Sequence, residues 1–252
     1  GAAAVYMEPV GPESGTTPIT VEYVKGVERL CRKYGALLVF DEVVTGFRIG
    51  MAGAQGYFGV SPDLTIFGKV IAGGYPGAGG IGGKREYMKY LGAGLDSSGK
   101  KIHKALVGGT MTANPLSCCA GYFTLEEIER TNACQKAGQM GDRICAGLKE
   151  LVKKHGLPFV VWNTGSICHL ETVGTMHYQI NWKKPWEIPA ILGETGVRQK
   201  EMEHMGAAYM AEGLVTLAGS RLYTSAAYTP KMIDQALACF DRVFENVAVK
   251  AD

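Results

Sequence analysis

Short, uninterrupted apolar runs and longer stretches of helical period alternate along the first half of the chain. Ala2-Ala3-Ala4-Val5-Tyr6-Met7 stops at Glu8-Pro9, Ala36-Leu37-Leu38-Val39-Phe40 stops at Asp41-Glu42, and Leu64-Thr65-Ile66-Phe67 stops at Gly68-Lys69. Apolar runs of this length, bounded by charge or turn residues, predict strands buried on both faces, as in parallel sheets. Between the first two, Val24, Val27, Leu30, Cys31 and Tyr34 fall on one helical face. Thr20 is placed to cap that helix, Glu22 lies in its first turn and Gly35 ends it. Strand, helix and strand in these lengths predict a βαβ unit. A short helical turn is expected at residues 55–58, a turn and short strand over 70–83, and a brief helix over 86–91.

Farther on, Asn114 with Pro115 behind it is a strong helix start. That helix carries Leu116, Cys119, Ala120 and Phe123 on its expected apolar face and breaks near Thr131-Asn132. A second helical pattern, Met140, Ile144, Leu148 and Leu151, runs to His155-Gly156. Residues 159–162 and 167–171 read as paired strands around Asn163-Thr164-Gly165, followed by a helix over 199–212, a strand over 214–217 and an amphipathic helix over 230–247. The boundary is placed near Gly156, giving domains of 1–156 and 157–252. The expected class is α/β, a mostly parallel sheet plus a smaller α/β domain.

Composition narrows the function. A chain of 252 residues, 46% hydrophobic and 20% charged, is an ordinary globular protein of one or two domains. A net charge of +2, without a basic run, argues against a nucleic-acid or acidic-membrane partner. No apolar stretch reaches the length of a membrane span, and seven cysteines without a C-x-x-C pair suit a reducing cytoplasm. The five histidines show no ligand spacing, so no metal is expected, and no G-x-S-x-G elbow is present. Gly77-x-Gly79-x-x-Gly82 matches the dinucleotide fingerprint in form only, because no strand directly precedes it. Lys69 is followed by Val70 where a phosphate-binding loop needs Ser or Thr.

What remains is a carboxylate and an amine, Asp41 and Lys69, each at the carboxyl end of a buried strand. Ligand crevices of open α/β sheets lie there. Taken singly, Asp41 reads as a strand-end cap and Lys69 as a solvated lysine. Together, with Gly73 and Gly74 clearing space nearby, they read as an acid–amine pair in one crevice. A desolvated amine is a nucleophile toward carbonyls, and pyridoxal phosphate uses such a lysine with a carboxylate beside its ring nitrogen. Gly109-Thr110, in a turn ahead of a helix, offers backbone and hydroxyl donors for a phosphate.

Asp41-Glu42-Val43-Val44-Thr45-Gly46-Phe47-Arg48 and Pro62-Asp63-Leu64-Thr65-Ile66-Phe67-Gly68-Lys69-Val70-Ile71-Ala72-Gly73-Gly74-Tyr75-Pro76 resemble the signature of class III pyridoxal-phosphate aminotransferases. The Gly-Phe-Arg wording is closer to the glutamate-1-semialdehyde aminomutase branch. Glu8-Pro9, Gly109-Thr110 with Asn114-Pro115, and the stretch from Ser225 to Thr229 also fit, so the likeness covers essentially the whole chain. It implies a fold type I aminotransferase with pyridoxal 5'-phosphate as cofactor and a small amino acid or amine as substrate. By that likeness Lys69 is the Schiff-base lysine, Asp41 the partner of the ring nitrogen and Val43 the residue on one ring face. Gly109 and Thr110 belong to the cofactor site, Thr110 reaching the phosphate of the neighbouring subunit of a cytoplasmic homodimer.

Two departures from the family shape these expectations. The phosphate loop and the ring-stacking aromatic belong to the family's N-terminal half, and the chain opens without a methionine directly into an apolar strand. It is therefore expected to be cut from something longer, with residues 1–252 alone poorly soluble or weak in cofactor binding. Gly219-Ser220-Arg221 stands where the aminomutase branch places an acidic residue, and Tyr228 replaces a common histidine. Amino transfer is the implied reaction. An aminomutase or racemase on the same fold is the alternative, and so is a non-catalytic assembly subunit. Arg221 is a candidate for a substrate carboxylate, with a surface salt bridge as the other reading.

Overall fold

β1 (Ala4–Met7), β2 (Leu37–Asp41) and β3 (Leu64–Phe67) lie parallel in that order, and β4 (Gly80–Gly83) closes the four-stranded sheet antiparallel to β3. The structure, a computed structural model, describes residues 1–10, 18–92, 94–95, 97–101, 103–172, 184–217 and 219–247. The crossover from β1 to β2 is α1 (Val21–Tyr34). Thr20 caps it by accepting the Tyr23 N–H at 3.1 Å, and Gly35 ends it with a left-handed φ of 65°. Val24 and Cys31 of its apolar stripe are buried beneath the sheet face, whereas Leu30 and Tyr34 stay exposed in a groove beside Val5 and Ala36.

The carboxyl ends of β2 and β3 feed two tight connections. After β2 the chain turns through residues 43–50 into α2 (Gly53–Phe58). After β3 it forms a 3-10 turn, Lys69–Ala72, before β4 and α3 (Arg85–Met88). α4 (Pro115–Thr131) starts where expected, with Asn114 accepting the Ser117 N–H at 3.0 Å, and stops at Asn132 with φ 52°. Its packing face is not the expected one. Leu116, Cys119 and Phe123 are exposed, while Ser117 and Gly121 are buried. Small residues win because this helix lies directly on the 3-10 turn. A Cβ on Gly121 would collide with the carbonyl of Ile71, and one on Gly73 would come within 2.5 Å of the Ala120 carbonyl.

The described chain forms two compact units that divide between Ala133 and Cys134. The division therefore falls after the first residue of α5 (Ala133–Lys154) and not near Gly156. The reason is packing: Ile144, Cys145 and Leu148 of α5 share one core with Val161, Leu170 and Leu222 of the second unit's sheet. That sheet is antiparallel, in the order β5 (Val160–Thr164), β6 (Ile167–Glu171), β7 (Arg221–Tyr223). α6 (Ile188–Ala211) and α7 (Pro230–Glu245) complete the unit, α7 capped by Thr229. The strand expected over 214–217 is reduced to a single bridge between Leu217 and Arg221, and the third strand is β7 instead. Its three residues are too few to carry a readable alternation.

Candidate active site

Asp41 and Lys69 stand at the carboxyl ends of β2 and β3, which pair in register with Asp41 opposite Ile66. Asp41 is half-buried and each of its oxygens has a partner. Oδ1 accepts the Val43 N–H at 2.9 Å, and Oδ2 accepts the Tyr6 hydroxyl at 2.5 Å. That bond, some burial, and the charges of Asp41 and Glu8 push the Tyr6 phenol above its ordinary value. Lys69 is exposed, not enclosed in the desolvating crevice the sequence led us to expect, and adopts φ 52°. A left-handed backbone at a long side chain costs about 1–2 kcal/mol and persists only where the surroundings impose it. Here they do: β3 fixes the approach, and the turn behind Lys69 is pressed between β3 and α4. Among the described residues no hydrogen bond or ion pair joins Lys69 to Asp41.

Val43 links the two connections. The Cβ that Gly68 lacks would lie 3.2 Å from Val43 Cγ1, so the Val43 side chain packs over the backbone next to Lys69. Glycine at 68 thus allows a close approach and is not called for by backbone angle.

Glu42, the neighbour of Asp41, is buried and accepts from Thr45 Oγ1 at 2.7 Å, Ala54 N at 2.7 Å and Gln55 N at 3.1 Å. Its carboxylate thus caps the start of α2, where Ala52 offers no side-chain cap, and it pins the turn that carries Val43. Asp63 is its counterpart at the amino end of β3. Burial acts to raise its pKa, but the Leu38 N–H at 2.8 Å and the Lys84 and Arg32 side chains, each at 2.6 Å, outweigh it and hold the carboxyl below the ordinary range. The sequence assigned neither carboxylate a role. A lone acid flanking a buried strand was the available signal.

Gly109 and Thr110 lie in an exposed turn before α4, and Thr112 N donates to the Gly109 carbonyl at 3.0 Å. The end of that turn is fastened to the loop beyond Lys69: Ala113 N donates to Gly77 O at 2.7 Å and Ser117 Oγ to Pro76 O at 2.6 Å. Among the described residues no hydrogen bond joins Thr110 to Asp41, Val43 or Lys69. Arg221 belongs to the second unit, where it pairs with His169 across the sheet.

The residues in place suit one end of a pyridoxal ring system. A carboxylate held by the Val43 N–H and the Tyr6 hydroxyl and an amine on a constrained turn stand at neighbouring strand ends, with Val43 packed over Gly68. The exposed Gly109-Thr110 turn carries a backbone N–H and a hydroxyl of the kind a phosphate needs.

Known proteins share sequence and fold with this chain. The sequence profile described as Aminotransferase class-III matches residues 1–218. Glutamate-1-semialdehyde 2,1-aminomutase 2 of Brevibacillus brevis is 34% identical over 241 residues, covering 93% of this chain and 51% of that protein. Its namesake from Shouchella clausii is 35% identical, covering 98% of this chain and 53% of that protein. Among solved structures, an omega-transaminase from Sphaerobacter thermophilus superposes with a TM-score of 0.76 at 23% identity, over 96% of this chain and 52% of that one. A β-phenylalanine aminotransferase from Variovorax paradoxus superposes with a TM-score of 0.76 at 22% identity, over 97% of this chain and 52% of that one. The fold is therefore that of the fold type I aminotransferases, and the chain spans about half the length of the curated relatives it matches. It is a member of the class III aminotransferase family.

Proposed function

We propose that this chain carries the lysine-bearing part of a pyridoxal-phosphate enzyme that moves an amino group from a small amino acid or amine to a keto or aldehyde acceptor. The observation that supports it most is the pair at adjacent strand ends, an amine on an imposed left-handed backbone and a carboxylate with a defined orientation. Asp41 would hold the ring nitrogen, and an ionic hydrogen bond of that kind contributes about 1.5–3 kcal/mol. Val43 would pack on a ring face. Gly109 and Thr110 would serve the phosphate in the neighbouring subunit of a homodimer, since their turn faces outward. When bound, pyridoxal phosphate supplies a carbonyl that amines add to and a protonated ring that takes up electrons. Lys69 would hold the cofactor through its amine, and that amine, once free, would be placed to carry a proton to and from the substrate carbon.

A second reading, isomerisation within one molecule, is favoured by the names of the relatives, which are aminomutases. Product analysis distinguishes the two. Transfer converts an amino donor and a separate keto acceptor in equal amounts and stops when the acceptor is withheld. Turnover of a single amino substrate to its isomer, with no acceptor present, would establish the second reading.

A further inference from the structure

Tyr6 lies on β1, the strand at the edge of the sheet, and pairs with Val39 of β2. Asp41 is two residues beyond Val39, so strand alternation puts it on the same face as Tyr6. The phenol spans the strand gap and donates to Asp41 Oδ2 at 2.5 Å. This side chain is 58% exposed, so core burial does not hold its ring in place, and the bond to Asp41 is its main tether. The other carboxylate oxygen is already engaged by the Val43 N–H. Together the two donors fix the plane of the carboxylate from opposite sides.

We propose that Tyr6 is a positioning residue for Asp41, setting the orientation and the charge distribution of the carboxylate that meets the ring nitrogen. This rests on the pyridoxal-phosphate reading above. A hydroxyl donor draws charge out of the carboxylate, so Tyr6 both aims Asp41 and moderates its pull on the ring proton. The phenol keeps its proton across the neutral and mildly alkaline range because the same bond raises its pKa. It therefore acts as a donor and never as a base. Partners that orient a ligand-holding group change affinity or activity by about 10–100-fold when removed from metal sites, and an effect near the lower end is expected here.

The test compares wild type, Tyr6→Phe, Asp41→Asn and the double variant, with equal folding checked by their unfolding midpoints. Without cofactor, the chemical shift of ring-labelled tyrosine is followed against pH, and Tyr6 is assigned from the signal missing in Tyr6→Phe. It should titrate above the ordinary value of about 10 in wild type and fall toward it in Asp41→Asn. With pyridoxal phosphate added, Tyr6→Phe should weaken binding about tenfold and shift the pH dependence of the bound cofactor's absorbance. In the Asp41→Asn background the Tyr6→Phe change should do neither, because its effect runs through the carboxylate. An ordinary Tyr6 titration in wild type, or a Tyr6→Phe effect of equal size in both backgrounds, overturns the proposal. Failure of wild type to bind the cofactor at all overturns the reading beneath it, and the cofactor-free titration tells the two failures apart.

Discussion

Asp41 and Glu42 are adjacent carboxylates with divergent surroundings. Asp41 ends the strand half-exposed among donors that leave it facing outward, while Glu42 turns inward and is consumed by three donors of its own backbone neighbourhood. Charge at Asp41 is thereby available for a ligand, and charge at Glu42 is spent on the loop. Replacing Asp41 with Asn keeps the shape and removes the charge. Turnover of the cofactor-loaded protein is expected to fall by about 10²–10³-fold, the usual effect of deleting one electrostatic contact to the reacting system, with a smaller loss in cofactor affinity. Steady-state kinetics beside a cofactor titration check this, and near-normal turnover would reduce Asp41 to a strand cap. The strand ends that carry Asp41 and Lys69 were legible in the sequence because charge or glycine stops each apolar run. Tyr6 was not, since nothing in a linear pattern reveals that an aromatic side chain on one strand reaches the end of the next.

At the level of elements, the turn that presents Lys69 depends on a contact between small residues. Gly121 of α4 lies against the Ile71 carbonyl and Gly73 against Ala120, so helix and turn approach to backbone contact. Helical periodicity pointed to Leu116, Cys119, Ala120 and Phe123 as the inward face; Ala120 is half-buried against Gly73, whereas the three larger residues are exposed. A close-packed interface selects instead for the absence of side chain, which Ser117 and Gly121 provide. Gly121→Ala should therefore cost about 1–3 kcal/mol and displace the turn. Thermal unfolding will show a lowered midpoint, and cofactor affinity will drop although Lys69 and Asp41 are untouched. Unchanged stability and affinity would mean that the turn is held by β3 alone. The short β7 and the early start of α6 escaped the sequence for a simpler reason: three residues carry no period, and the first turns of α6 lack a cap signal.

For the molecule as a whole, Asp63 does at the amino end of the sheet what the loops do at the other. It ties α1 through Arg32, β2 through Leu38 and the segment after β4 through Lys84. Its depressed pKa fixes the sign of the pH dependence. The network contributes fully above the ordinary carboxylate value of about 4 and is lost as pH falls through the lower folded-state value. Acid titration of the unfolding midpoint should show this loss, and Asp63→Asn should lower the midpoint at neutral pH while flattening the acid limb. An unchanged acid limb would show that Asp63 contributes nothing to it. The division of the chain was less legible than its strands. Gly156 looked like a boundary because a helix ends there, yet packing of α5 with the second unit's sheet decides which unit owns the helix.

The central claim, that Lys69 is the residue joined to pyridoxal phosphate, has a direct chemical test. Cofactor-loaded protein is reduced with borohydride, digested, and the peptide bearing the added mass is sequenced by mass spectrometry. The label is expected on the peptide containing Lys69, and Lys69→Ala protein should take up none and lose turnover by at least about 10²–10⁴-fold. Label fixed at Lys84, Lys100 or Lys101 while Lys69 stays unmodified would contradict the account.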